Sequence, residues 1–350
     1  MKTLVLTGKN EPLVLQERAN WQIAEGEALI RVHAAALNHR DVWIQKGQYA
    51  GLKYPTIPGS DGAGVVMEIG GTEGGAAKSW IGKEVIINPA LNWGDHASHQ
   101  DQKAFRILGL PDDGTFAEYV RVPVTSLAEK PPHLSFEEAA ALPLAGVTAY
   151  RAVFTRARLK MGAEAAGAGH TTGNAGEKVL ITGIGGGVAL FALQYAIAAG
   201  AQVYVTSGSD EKIDKAMALG ALGGVNYKKP DWVEILRSLA GSFDVTIDGA
   251  AGEGMDDLFD LASPGGRVVF YGSTQGNPSN LVARRIFWKQ LDVLGTTMGS
   301  PEDFRAMISF VQKHAIRPVV DKIFPFEEGE AALRWMDDAR QFGKIVIKVR

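Results

Sequence analysis

No cysteine occurs among the 350 residues of this chain. That absence removes disulfides, thiolate nucleophiles and every zinc site that depends on sulfur. Long apolar runs are missing too: none approaches the roughly 18 to 20 residues that a spanning helix needs. The opening MKTLVLTGKNEPLVLQ reads as a short strand and turn, not as a secretion signal, so a cytoplasmic protein is expected. Charge of one sign is also scarce. The formal net charge is -3 and basic residues are scattered rather than blocked, so neither nucleic acid nor a membrane surface is an expected partner. Internal repeats and low-complexity tracts are likewise absent. What is present is the composition of an ordinary globular enzyme, 46% hydrophobic and 21% charged, on a chain longer than one hydrophobic core usually serves. Two domains are expected.

The two domains announce themselves by different patterns. Over the first ~125 residues, LVLQE, EALIRVHAAALN, AGVVMEIG, KEVIINP and FAEYVRV mix β-branched and apolar residues at strand length between Gly and Pro turns. At PPHLSFEEAAALPLAGVTAYRAV the pattern changes to an Ala-rich helix, with Ser135 as N-cap and Glu137 and Glu138 in its first turn. From Lys178 strands alternate with helices: KVLITG, a helix from about Gly187 to Ala199, QVYVTS, a helix through Glu211 to Leu219, FDVTIDGA, a helix near Met255 to Leu261, and RVVFYGS. Alternation of this kind predicts a parallel sheet with right-handed crossovers. A helix at Glu302 to Lys313 and a strand KIVIKV then return to the mixed pattern of the start. The fold class is therefore α/β, with a mostly-β domain over 1–128 and 300–350 and a doubly wound domain over 129–299. Two stretches, Asn92 to Gly114 and Met161 to Gly176, read as loops.

The strand KVLITG runs straight into GIGGGVALFALQYAIAAGA, which puts a glycine-rich turn between a buried strand and a helix. Gly183 permits the tight turn, Gly185 and Gly186 let backbone approach a pyrophosphate, and the helix N-terminus offers free N–H groups. The third glycine is displaced: Gly187 precedes the position that Val188 occupies. After the second strand, where an NAD enzyme places an acid against the ribose 2′-hydroxyl, this chain has Ser207, Gly208 and Ser209. Small hydroxyls with Lys212 near them, and Tyr227 in GGVNYKK, favour NADPH over NADH. Lys212 as a solvated helix lysine and Tyr227 as a core tyrosine are the plainer alternatives.

In their order, PGSDGAGVVMEIG, DGTFAEYVRVP, LPLAGVTAYRAV, KVLITGIGGG, VTSGSDEK, FDVTIDGA and GGRVVFYGS resemble the medium-chain dehydrogenase/reductase superfamily, most of all its zinc-free quinone oxidoreductase-like branch. The likeness spans essentially the whole chain. It implies a GroES-like catalytic domain built from both chain ends and an inserted Rossmann domain. Where zinc-dependent alcohol dehydrogenases of the superfamily have a cysteine, a His-Glu pair and a second cysteine, this chain has Asn38, Ser60 with Asp61, and Leu144. Their structural-zinc lobe corresponds to Asn92 to Phe105, which has no cysteine. His39, His96 and His99 with Asp95 or Asp101 are the remaining ligand candidates, against the commoner reading of solvated loop groups. The resemblance further puts Gly249, Ala250, Gly272, Ser273 and the segment from Gly295 through Thr296, Thr297 and Met298 near the nicotinamide, with Asp248 bracing backbone N–H groups as a plainer role.

Hydride transfer to a simple ketone benefits from a Lewis acid that stabilises the alkoxide. Without a metal, quinones and α,β-unsaturated carbonyls are the easier acceptors, because they spread the negative charge. Asn38, Asp41, Tyr49, Asp61 and Thr148 are the expected pocket donors, with Tyr49 the one the resemblance favours; helix capping by Asp41, backbone bonding by Asn38 and Thr148, and a loop aromatic at Tyr49 are the plain alternatives. The expected activity is an NADPH-dependent, metal-free reductase of a quinone, enone or enal. A zinc-independent alcohol dehydrogenase or carbonyl reductase and a non-catalytic NADPH-binding sensor stay as alternatives. The aromatic stretch VARRIFWKQLDVLGTT is the expected homodimer contact, unless Phe287 and Trp288 belong to the core.

Overall fold

The computed structural model describes residues 1–71, 76–162 and 176–350. The lead-in between Met161 and Gly176 therefore lies almost wholly outside the described residues. The chain divides into two compact units, Met1–Val147 with Gly299–Arg350, and Thr148–Met298.

In chain order, a hairpin of β1 (Lys2–Leu6) and β2 (Leu13–Glu17) leads to β3 (Glu27–Ala36), α1 (His39–Gln45), β4 (Asp61–Ile69) and β5 (Glu84–Ile87). Between Asn92 and Gly114 the expected loop is pinned at its base by β6 (Ala90–Leu91) pairing with β7 (Arg106–Ile107). β8 (Tyr119–Pro123), β9 (Leu127–Glu129), α2 (Phe136–Ala141) and α3 (Pro143–Tyr150) follow. The second unit carries β10 (Lys178–Ile181), α4 (Gly187–Ala198), β11 (Gln202–Ser207), α5 (Asp210–Ala218), β12 (Gly223–Asn226) and α6 (Trp232–Ala240). It continues with β13 (Phe243–Asp248), α7 (Met255–Leu261), β14 (Ala262–Phe270), α8 (Ala283–Trp288) and β15 (Asp292–Gly295). The chain then returns to the first unit with α9 (Pro301–Lys313), β16 (Val320–Pro325), α10 (Gly329–Asp337) and β17 (Lys344–Lys348).

The first unit is built on a seven-stranded sheet in the order β16-β17-β3-β4-β5-β9, with β8 also paired to β3. Alternation along β3 buries Ala28, Ile30, Val32 and Ala34 completely. The C-terminal strand runs antiparallel to β3 with Val346 opposite Ala36, and β4 faces the other edge of β3 with Asp61 opposite Ala36. This register brings residues 38, 61 and 344 to adjacent strand ends.

Ser135 caps α2 as expected, its hydroxyl accepting from Glu138 N while Glu138 accepts from Ser135 N. The single Ala-rich helix is, however, broken. Pro143 lacks an N–H and opens a new helix, and from Arg151 to Arg156 the chain is π-helical. The buried faces of Ala139, Ala140 and Ala141 let α2 lie close on β3, β4 and β17. Residues 129–147 thus group with the first unit rather than with the dinucleotide unit, and the division falls inside α3.

The second unit is a six-stranded parallel sheet in the order β12-β11-β10-β13-β14-β15. Renumbered from its first strand, that is the 3-2-1-4-5-6 order of a doubly wound dinucleotide fold, whose ligands sit at the carboxyl ends of the strands flanking the order reversal. Here those strands are β10 and β13. No helix among the described residues is long and apolar enough to cross a membrane.

Candidate active site

In the first unit, three sequence-remote residues form one buried knot. The Lys344 ammonium, 3% exposed, donates to the Leu37 carbonyl at 2.7 Å, to Asn38 Oδ1 at 2.8 Å and to Asp61 Oδ2 at 3.0 Å. The same Asp61 oxygen accepts from Asn38 Nδ2 at 2.9 Å, and Asp61 Oδ1 accepts from the Leu144 backbone N–H at 2.8 Å. All three ammonium hydrogens are matched, and so are both carboxylate oxygens. Asn38 and Asp61, expected as pocket donors, are instead committed to this ion pair. Lys344 escaped the sequence reading altogether, because only strand register brings it there.

Asp41 is 1% exposed and its Oδ2 accepts from Asn38 N at 2.8 Å, fastening the first turn of α1. Burial pushes its carboxyl up to about 6, against the opposing pull of Arg40 and of the Asn38 N–H. Its Oδ2 thus caps the helix, while Oδ1 is buried with no partner among the described residues. His39 is surrounded by enough protein that desolvation, helped by the charge of Lys344, lowers its pKa, yet its ring keeps more than a third of its surface in contact with solvent.

Tyr49 is half-buried, and its phenol oxygen accepts from Arg40 Nε at 3.3 Å, with the guanidinium carbon 5.0 Å from the ring centre. Arg40 is 7% exposed and also donates to Ser60 Oγ at 2.6 Å, Leu108 O at 2.7 Å and Leu110 O at 3.3 Å. Ser60 in turn donates to Leu108 O at 2.8 Å, so its hydroxyl is spent on structure. Among the described residues the Tyr49 hydroxyl hydrogen has no acceptor, one hydrogen of Asn38 Nδ2 is likewise unassigned, and Asp41 Oδ1 is buried without a partner. Thr148, buried within α3, falls in the other unit.

In the second unit the glycine turn has the expected form. Gly183 and Gly185 take φ of +61° and +118°, a region closed to most side chains. Gly186 is the N-cap of α4, and Gly187 and Val188 open its first turn, where N–H groups lack helical partners. A Cβ on Gly185 would lie 2.9 Å from Lys212 Cδ and 3.6 Å from its Nζ, so Lys212 stands against the glycine turn. Ser207 Oγ donates to Ile184 O at 3.3 Å, and Ser209 caps α5 through Lys212 N at 3.5 Å. A Cβ on Gly208 would meet Tyr227 Oη at 2.8 Å and Lys228 Cε at 3.0 Å. Tyr227 is 46% exposed, which rules out the core role considered for it. Lys228, next to it in sequence, was overlooked although YKKP carried the signal.

At the switch point, Asp248 accepts from Thr182 Oγ1 across the ends of β10 and β13, and from Ala250 N at 3.1 Å and Ala251 N at 2.7 Å. Desolvation raises its pKa, with those three donors pulling it back. It braces the turn that presents Gly249 and Ala250. A Cβ on Gly249 would strike the Tyr271 ring at 2.5 Å, so glycine there lets the tyrosine close in. Burial, and then Asp248, pushes the Tyr271 phenol up. Gly272 and Ser273 form the exposed turn after β14. After β15, the Thr296 hydroxyl oxygen is buried with no partner among the described residues, Thr297 is exposed, and Met298 is buried at φ +48°. The site carries open glycine backbone, a helix N-terminus and an unpaired hydroxyl along the carboxyl edge of one sheet, which fits an extended dinucleotide.

A doubly wound sheet with such an edge, in a chain whose other unit is a sheet of GroES-like pattern, defines a nicotinamide-dependent oxidoreductase. The family comparisons agree. The Alcohol dehydrogenase GroES-like domain matches residues 24–132 and the Zinc-binding dehydrogenase family matches residues 187–313. A zinc-type alcohol dehydrogenase-like protein YogA from Leptosphaeria maculans is 36% identical over 92% of this chain and 90% of its own length. An acryloyl-coenzyme A reductase from Metallosphaera sedula is 28% identical, with 99% of both chains covered. A solved NAD-dependent alcohol dehydrogenase superposes with a TM-score of 0.88 at 35% identity, covering 100% of each chain. The chain belongs to the medium-chain dehydrogenase/reductase superfamily and is an oxidoreductase of that family.

The zinc in one family's name does not fit the residues found here. Among the described residues no group of three or more His, Cys, Asp or Glu is placed to hold a metal ion. His96 and His99 stack on each other, ring centres 4.7 Å apart, on the loop where a second site was considered. At the positions that correspond to the catalytic ligands stand an amide, a hydroxyl bound by Arg40, and a carboxylate neutralised by Lys344.

Proposed function

We propose that this oxidoreductase reduces conjugated carbonyls or quinones with NADPH and uses no metal. The Lys344 knot carries the reading. Its ammonium already neutralises Asp61 and occupies Asn38. A divalent ion about 4 Å from that ammonium would meet roughly 8 kcal/mol of repulsion at an effective dielectric near 20. Without a Lewis acid, acceptors that delocalise the incoming electron pair are favoured, because a hydrogen-bond donor suffices for a spread charge. Tyr49, half-buried and with its hydroxyl hydrogen unassigned, is the donor we assign to that task. Kinship with an acryloyl-coenzyme A reductase, whose named substrate is a conjugated thioester, points the same way.

The nicotinamide, when bound, supplies the hydride. The chain's own part is to hold it and to meet the charge that results. Gly183 to Val188 offer backbone N–H groups to the pyrophosphate, with Lys212 beside them. Ser207, Ser209, Tyr227 and Lys228 surround Gly208, where a 2′-phosphate would be welcome and a carboxylate is missing. A second copy of the chain is the proposed partner: β15 is an edge strand, and Phe287 and Trp288 are 60% and 72% exposed, so neither is core.

An acceptor screen tests this reading. NADPH consumption is followed with benzoquinones, enals, cyclohex-2-enone and simple ketones under one condition. The reading expects the highest kcat/KM among the conjugated acceptors. A higher value for a simple ketone would establish the zinc-independent carbonyl reductase instead, and cofactor binding without turnover on any acceptor would establish a sensor.

A further inference from the structure

Arg40 is a buried cation that forms no ion pair with a carboxylate among the described residues, although Asp41, next to it in the chain, feels its charge. Four of its five N–H donors are taken, all by neutral oxygens: the Tyr49 phenol, the Ser60 hydroxyl and the carbonyls of Leu108 and Leu110. Of the carboxylates in this region, Asp41 spends Oδ2 on the Asn38 N–H and Asp61 is already held by Lys344. Burying a guanidinium in this way is costly, and it is tolerated only where the geometry supplies every acceptor or where a negative charge arrives later.

The hydrogen bond to Tyr49 shows where that charge would arise. Because the phenol oxygen accepts from Arg40 Nε, its own hydrogen cannot point at the guanidinium, and it has no acceptor among the described residues. We propose that Arg40 is a positioning residue for Tyr49: it fixes the phenol as a donor and acts as the resident counter-ion of the phenolate that forms when Tyr49 gives up its proton. This rests on the proposed role of Tyr49. Bound NADPH would supply the hydride, becoming NADP+, and the conjugated acceptor would be left as its enolate or hydroquinone anion; the Tyr49 O–H bond then breaks, its electron pair stays on the phenol oxygen beside Arg40, and the proton bonds to the anion. Water then returns a proton to Tyr49. Arg40 is itself rigidly placed, since Ser60 and the carbonyls at 108 and 110 grip its other end.

A double-mutant cycle on NADPH-dependent reduction of cyclohex-2-enone tests the coupling. Tyr49→Phe should lower kcat by about a hundredfold or more, the usual loss for one preorganised donor. Arg40→Gln should lower it about ten- to a hundredfold with KM for NADPH little changed, as expected for one charge-assisted bond. The double variant should be no slower than Tyr49→Phe alone, because Arg40 then has nothing to act through. If the double variant instead loses the product of both factors, Arg40 is merely structural and the proposal is overturned while the Tyr49 reading stands. Near-normal turnover of Tyr49→Phe overturns that reading and this proposal together. Should Arg40→Gln fail to fold, the same cycle with Arg40→Lys, which keeps the charge but loses the Nε contact, carries the test. A second readout needs no turnover: with ring-carbon-labelled tyrosine, the NMR resonance assigned to Tyr49 by its loss in Tyr49→Phe should move in Arg40→Lys, and an unmoved resonance would contradict the contact.

Discussion

The two units handle buried polarity in different ways. In the first, polar groups face one another: Lys344, Asp61 and Asn38 consume each other's hydrogen-bonding capacity, and Arg40 consumes that of Ser60. In the second, the polar groups along the carboxyl edge are split: Thr182, Ser207 and Asp248 are drawn inward to brace the turns, while Tyr227 is open to solvent and the first turn of α4 offers N–H groups that lack helical partners. A saturated centre resists new ligands, whereas an unsaturated edge invites them.

That contrast breaks most readily at Lys344. Lys344→Met leaves the Asp61 carboxylate buried with an amide and one N–H for company, and removing one member of a buried pair typically costs 3 to 5 kcal/mol, so roughly that loss is expected in urea unfolding. A loss below ~1 kcal/mol would mean that the knot is not closed. Asp41 offers a smaller and pH-dependent effect. Its carboxyl holds a proton up to about pH 6 in the folded chain, against 3.8 as the unperturbed value. The unfolded chain therefore releases that proton first, so this group costs nothing below the lower value, erodes stability as the pH rises between the two, and has exacted its full toll above about 6. Asp41→Asn should flatten the stability curve between about pH 4 and 6 by up to roughly 3 kcal/mol, measured by denaturant midpoints across that range. An unchanged curve would place the proton elsewhere.

For the open edge, Lys228→Ala should weaken NADPH by about ten- to a hundredfold, equivalent to roughly 1.5 to 3 kcal/mol for one charge-assisted contact, and leave NADH nearly unaffected. Lys212→Ala, at the glycine turn, should weaken both cofactors alike. Equal wild-type dissociation constants for NADPH and NADH would remove the basis for a 2′-phosphate site. The smallest effect on the fold belongs to Trp288, whose replacement by Ser should change stability by less than about 0.5 kcal/mol yet shift the chain from dimer to monomer in sedimentation. A wild-type monomer would remove the second copy from the account.

The same contrast explains how much the sequence disclosed. The parallel sheet and its glycine turn were legible because the phosphate cradle is written contiguously, from Lys178 to Ala198, in the order in which it folds. Capping by Ser135 was legible for the same reason. The knot was not: its members are separated by 23, 306 and 283 positions, and only the pairing of β17 and β4 on opposite sides of β3 brings them together. Asn38 and Asp61 were rightly placed near each other, but without Lys344 they read as free donors. Arg40, adjacent to two chosen residues, was passed over because an arginine in a short helix ordinarily points to solvent. The break at Pro143 lay in plain view, and the Ala-rich pattern around it concealed the consequence.

We propose that this oxidoreductase, whose Asp61 and Asn38 are closed off by Lys344, turns over without a metal. The most direct measurement counts zinc in purified protein and follows NADPH-dependent reduction of cyclohex-2-enone before and after exhaustive chelation of the same sample. The account predicts zinc far below one per chain and unchanged turnover. Stoichiometric zinc, with activity that disappears on chelation and returns on adding the metal, would contradict it.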